Sequence, residues 1–106
     1  MSAARREIWE SLVSMLRVYA SAASLGGREY QVTSGTDQAW VKHQDHLLSV
    51  CFRGEKGTWS LGQTRGEFAI EEDGTLTFPG GPKALDEAAI DWMQQLGAAN
   101  LRAAHP

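Results

Sequence analysis

The chain is predicted to fold as an α+β domain: an N-terminal helix, an antiparallel meander of five or six strands and a C-terminal helix, with both helices packed on one face of the sheet. Three observations predict it. Apolar residues recur at three- and four-residue spacing in the first 25 positions and again beyond Lys83. Between residues 28 and 79 the apolar period is two. The segments separating the alternating runs are too short for parallel crossovers, which take a dozen residues or more, so neighbouring strands run antiparallel.

In the first helix Ile8, Leu12, Met15, Leu16, Tyr19, Ala22 and Ala23 form one face. Trp9 and Val13 flank it, and the stripe is wide enough to pack deeply on a sheet or to reach a partner chain. Gly26-Gly27 ends the helix, because glycine takes the left-handed cap conformation without steric cost. The strands that follow are marked by Tyr30 and Val32, Trp40 and Lys42, Leu48 with Val50 and Phe52, Trp59 and Leu61, Phe68 and Ile70, and Leu76 and Phe78. Turn chemistry separates them at Ser34 to Asp37, Gln44-Asp45, Arg53 to Gly57, Thr64-Arg65-Gly66 and Asp73-Gly74. Asp-Gly between alternating runs fits a hairpin turn that needs positive φ. Pro79-Gly80-Gly81-Pro82 is expected to stop the last strand, with the second helix starting near Lys83. Leu85, Ala88, Ala89, Trp92, Met93 and Leu96 give that helix its apolar face. Asp86 and Glu87 occupy its first turn, where the macrodipole favours anions, and Gly97 closes it. Residues 98–106 are expected to form a poorly ordered tail on a single domain spanning 1–106.

With 106 residues, 42% of them hydrophobic and a net charge of −3, the composition is that of one soluble globular domain. The charge is unevenly spread. Residues 1–65 carry eight basic and six acidic side chains, +2, whereas residues 66–106 carry two basic and seven acidic ones, −5. The total weighs against a general nucleic-acid binder, which displaces counterions with net positive charge. The single cysteine, Cys51, lies in an apolar run and reads as a buried, reduced thiol. Glu10 and Arg17 interrupt the apolar stretch that follows Arg5 and Arg6, and no run approaches the ~18 residues of a membrane span. A reducing cytoplasm without a membrane partner is the expected setting.

No catalytic constellation emerges, so the chain is expected not to be an enzyme. His43, Asp45 and His46 are the nearest approach to a metal-ligand cluster, but zinc sites take three or four converging ligands, and a polar turn with no metal or cofactor is expected. No serine sits in a Gly-x-Ser-x-Gly elbow. Glu71, Glu72 and Asp73 read as a solvated hairpin end, with nothing to desolvate them.

The four tryptophans, Trp9, Trp40, Trp59 and Trp92, stand out. If the helices cover one face of the sheet, the other is wet, covered by a second chain or occupied by a ligand. The leading expectation is a small protein-interaction module that forms a homodimer or caps and inhibits a partner. Glu71, Glu72, Asp73, Asp86 and Glu87 would then supply an acidic docking surface. The alternative is a small-ligand or single-stranded nucleic-acid binding domain, with Trp40 and Trp59 as stacking platforms and Lys42, Arg53, Lys56 and Arg65 as the phosphate-facing set.

Overall fold

A computed structural model describes residues 3–24 and 29–97. Helix α1 (Ala3–Ser24) leads into strands β1 (Gln31–Ser34), β2 (Gln38–His43), β3 (His46–Arg53), β4 (Lys56–Leu61), β5 (Thr64–Ile70), β6 (Thr75–Phe78) and β7 (Gly81–Ala84), and helix α2 (Leu85–Gln95) follows. The strands form one seven-stranded sheet in sequence order, each pairing antiparallel with the next. The helices touch each other and share one face of that sheet.

Seven strands replace the expected five or six, and two sequence features account for the difference in layout. Pro79-Gly80 does not end the sheet but turns it, with Phe78 paired to Gly81. Pro82 lies in β7, an edge strand, where a missing N–H need not break a ladder. The second helix therefore begins at Leu85, after this short strand. Likewise Thr64, Arg65 and Gly66 belong to β5, and the turn before them falls at Gly62-Gln63, where Gly62 has φ 62°. Gly66 breaks nothing because a neighbouring ring covers it, as described below. Gly97 does close α2: its φ is 110° and its N–H donates to the Gln94 carbonyl at 3.1 Å. The expected Gly26-Gly27 cap and the tail at 98–106 lie outside the described residues.

The core lies between the helices and one face of the sheet. From α1 come Trp9, Leu12, Val13, Leu16 and Ala20, from the strands Ala39, Val41, Leu48, Val50, Phe52, Phe68, Ile70 and Leu76, and from α2 Ala88, Ala89, Trp92, Met93 and Leu96. The buried stripe of α1 is thus centred further round than the sequence pattern places it. Trp9, Leu16 and Ala20 are central, Val13 is buried at the flank, Met15 and Tyr19 are half-buried, and Ala22 is exposed. Its width is taken up by the protein's own sheet and second helix. Trp9 stacks on Phe52 with centroids 5.5 Å apart, and its indole Nε1 donates to the Thr36 carbonyl at 3.1 Å, which satisfies the one polar atom that this burial desolvates.

Under α2 the packing depends on two glycines. On the helix-facing side Gly57 pairs with Phe68, and Trp59 with Gly66. Each ring lies across the glycine opposite: a Cβ on Gly57 would fall 2.2 Å from the Phe68 ring, and one on Gly66 2.7 Å from Trp59. The flattened rings meet Trp92 at 5.6 Å (Phe68) and 6.2 Å (Trp59), and Phe78 closes the group at 5.9 Å. Gly57→Ala and Gly66→Ala should each destabilise the protein by about 1–3 kcal/mol through overpacking. Gly35→Ala, where an added Cβ meets nothing within 4 Å, should change stability by no more than about 0.5 kcal/mol. Urea denaturation of the three variants reads this, and equal costs at all three sites would contradict it.

Candidate docking surface

Because strand side chains alternate between faces, the register assigns every strand residue to the helix side or to the open side. One row across the open side runs Thr33, Trp40, Ser49, Ser60, Arg65; the next runs Gln38, Cys51, Thr58, Glu67; a third runs Arg53, Lys56, Ala69, Thr77, Pro82. Lys42 and Leu47 pair on the same side at the other end. Trp40 is half-buried among its neighbours, and Leu47 keeps 46% of its surface exposed.

Five of the six binding residues expected from the sequence, Trp40, Lys42, Arg53, Lys56 and Arg65, therefore share the open face. Trp59 does not. It lies on the helix side, opposite Val50 and against Trp92, so Trp40 and Trp59 cannot form a common stacking platform. Two adjoining hollows shape the open face. One, of about 540 Å³, is lined by Arg53, Lys56, Ala69 and Thr77 among others; the second, of about 530 Å³, by Ser49, Ser60 and Arg65. Cys51, Thr58 and Glu67 line both. Cys51 is thus only half-buried and sits on the open face, not sealed in the core. The floor of Ser49, Cys51, Thr58 and Ser60 had a sequence signature: carrying the period-two face of Trp40 and Lys42 through each hairpin would have found it.

This face gathers four of the chain's basic side chains. Lys42, Arg53, Lys56 and Arg65 are exposed and, among the described residues, have no ion-pair partner, whereas Arg5, Arg6 and Lys83 are paired. Against the four cations stand Glu67 and, where Thr77 bonds it, Glu71, so the face carries +2. Arg53 and Lys56 are direct cross-strand partners on the same face. Like charges so placed repel each other.

The acidic residues gather at one end of the sheet. Thr75 pairs with Ala84, which brings the start of α2, with Asp86 and Glu87, beside the turn that carries Glu71, Glu72 and Asp73. Their charge is partly engaged. Arg5 donates through Nε to the Ile70 carbonyl at 2.8 Å and through Nη1 to Glu72 at 3.2 Å. Arg6 donates to the Thr36 carbonyl at 2.7 Å and to Asp37 at 2.8 Å. Glu71 accepts from the Thr77 hydroxyl at 2.8 Å. The split of +2 and −5 along the sequence is therefore not a clean split in space, because Arg5 folds onto Glu72 of the acidic end.

The histidine cluster is dispersed as well. His43 is buried, stacked on Tyr30 at 3.9 Å, and its Nδ1 lies 3.0 Å from the Glu29 carbonyl. A carbonyl only accepts, so Nδ1 carries the proton. Asp45 and His46 are exposed at the hairpin end, and among the described residues no three potential ligands gather to hold a metal ion. No described helix is long and apolar enough to cross a membrane.

Comparison with protein-family models, curated proteins and solved structures returns no match.

Asp73 accepts from the Thr75 hydroxyl at 2.7 Å and from its backbone N–H at 3.0 Å, and these bonds hold its carboxyl below the ordinary aspartate range. A lowered folded value means that the turn is favoured in full above the unfolded value of about 3.9 and loses that support as pH falls through the folded one. In Thr75→Val the Asp73 midpoint, followed by carboxyl-carbon NMR, should rise toward the ordinary value; an unmoved midpoint would contradict this cause.

Proposed function

We propose that this chain is a small, non-enzymatic protein-interaction module that docks a partner on the open face of its sheet, capping that partner or pairing with a second copy of itself. One observation carries the reading: both helices lie on the same face, and the face they leave bare is hollowed, holds a half-buried tryptophan and is rimmed by arginines. Tryptophan and arginine are the residue types that dominate binding hot spots. A stacking nucleic-acid reading loses ground, because with Trp59 in the core only Trp40 remains to receive a base. The lone cysteine suits a reducing cytoplasm.

Ser49→Gln with Thr58→Gln puts uncharged bulk into the hollows from the open face of the sheet. The wild-type chain should form a concentration-dependent dimer by light scattering, or retain a specific protein from lysate of its source organism. The double variant should lose that association by about tenfold or more while its melting temperature changes little. A wild-type chain that stays monomeric and retains nothing, or a variant that keeps the same association, would overturn the reading.

A further inference from the structure

The docking reading leaves the partner's chemistry open, and the charge pattern of the open face narrows it. Among the described residues, four exposed cations without ion-pair partners project from this side of the sheet, whereas Arg5, Arg6 and Lys83 are in ion pairs and Arg17, on α1, donates to the Ser34 hydroxyl. Arg53 and Lys56 are placed directly opposite one another, an arrangement that costs stability in the free protein and is relieved when an anion bridges them. Lys56 pairs with Ala69 and Arg65 lies four residues before Ala69 on β5, so Arg65 sits about 14 Å along the strands from the Arg53–Lys56 pole. The two hollows join these poles end to end across Cys51, Thr58 and Glu67.

We propose that this track receives an extended acidic segment of a partner protein, with carboxylates at the Arg53–Lys56 pole and at Arg65 and an uncharged stretch crossing Glu67. This rests on the docking reading above. Four residues of extended chain span the same ~14 Å, so carboxylates four positions apart reach both poles. Glu67, midway, repels a third negative charge and can accept a hydrogen bond from the segment's backbone N–H. The floor of Ser49, Ser60 and Thr58 offers hydroxyl donors and acceptors to the rest of that backbone. A nucleic-acid strand fits worse, since a phosphate at every residue would set one against Glu67.

The test uses the full chain and fluorescein-labelled heptapeptides Glu-Glu-X-X-X-Glu-Glu, with X a mixture of uncharged residues, read by fluorescence anisotropy. A Lys-Lys-X-X-X-Lys-Lys pool and an oligothymidylate are the comparison probes. The acidic pool should bind saturably at about 50 mM salt and weaken by roughly tenfold or more at about 300 mM, as expected of exposed charge pairs. Arg65→Glu should weaken binding at least about tenfold, whereas Arg17→Glu, the same charge change on α1, should leave it unaltered. Lys56→Gln should act in opposite directions on two readouts, weakening peptide binding while raising the free protein's melting temperature by about 1–5 °C. A purely structural role for Lys56 would move both the same way. The proposal is overturned if the acidic pool does not bind, if Arg17→Glu weakens binding as much as Arg65→Glu, or if oligothymidylate binds more tightly than the peptides. If the acidic pool fails while the Ser49→Gln, Thr58→Gln variant still abolishes an association of the wild-type chain, the acidic partner is excluded and the docking reading stands. If neither experiment shows association, both fall.

Discussion

A pleated strand sends successive side chains to opposite faces, and in this protein strands β1 to β6 send their core residues to the same one. The two helices meet on that face and bury it together. Everything else follows from this one-sidedness. Residues offset by one position from Leu48, Val50 and Phe52, namely Leu47, Ser49, Cys51 and Arg53, are committed to the other side. A one-position slip of β2, β3, β4 or β5 would put Lys42, Arg53, Lys56 or Arg65 under the helices, so core burial also fixes the composition of the open face.

The helix layer, in turn, rests on the β4–β5 pair. Trp92 reaches the sheet because the rings of Trp59 and Phe68 lie flat over Gly66 and Gly57. Side chains larger than hydrogen at those two positions would lift the rings and with them α2. At the opposite end of the layer Arg5 and Arg6 fasten α1 to the turns through carbonyls of Ile70 and Thr36 as well as through carboxylates. Bonds to backbone carbonyls survive salt better than exposed ion pairs do, so the helix is held chiefly by packing and these hydrogen bonds.

Much of this was legible in the sequence because its signals are local. The helix periods, the alternating runs and the Asp73-Gly74 turn each depend on residues within a few positions of one another. What was not legible depends on partners distant in sequence. Gly66 reads as a turn residue until Trp59 is known to lie across it. Pro79 to Pro82 reads as a stop until the edge position of β7 is known. Trp59 looked like a partner for Trp40 because alternation gives each strand two faces without saying which face is buried. Lys42, Arg53, Lys56 and Arg65 read as a basic set in the sequence, and the register brings them to one face. That they have no ion-pair partner among the described residues, by contrast, is a property only of the folded molecule, since Arg5 and Arg6 look no different from them in the sequence.

The central claim is that one face of the sheet is sealed by the helices and the other is left open for a partner. Methyl relaxation of the free protein by a soluble gadolinium chelate tests it most directly. Leu47, Thr58 and Thr77 should be strongly relaxed, and Leu48, Val50 and Leu76, one pleat away, should be protected. Comparable relaxation of the two sets, or protection of the first and exposure of the second, would contradict it.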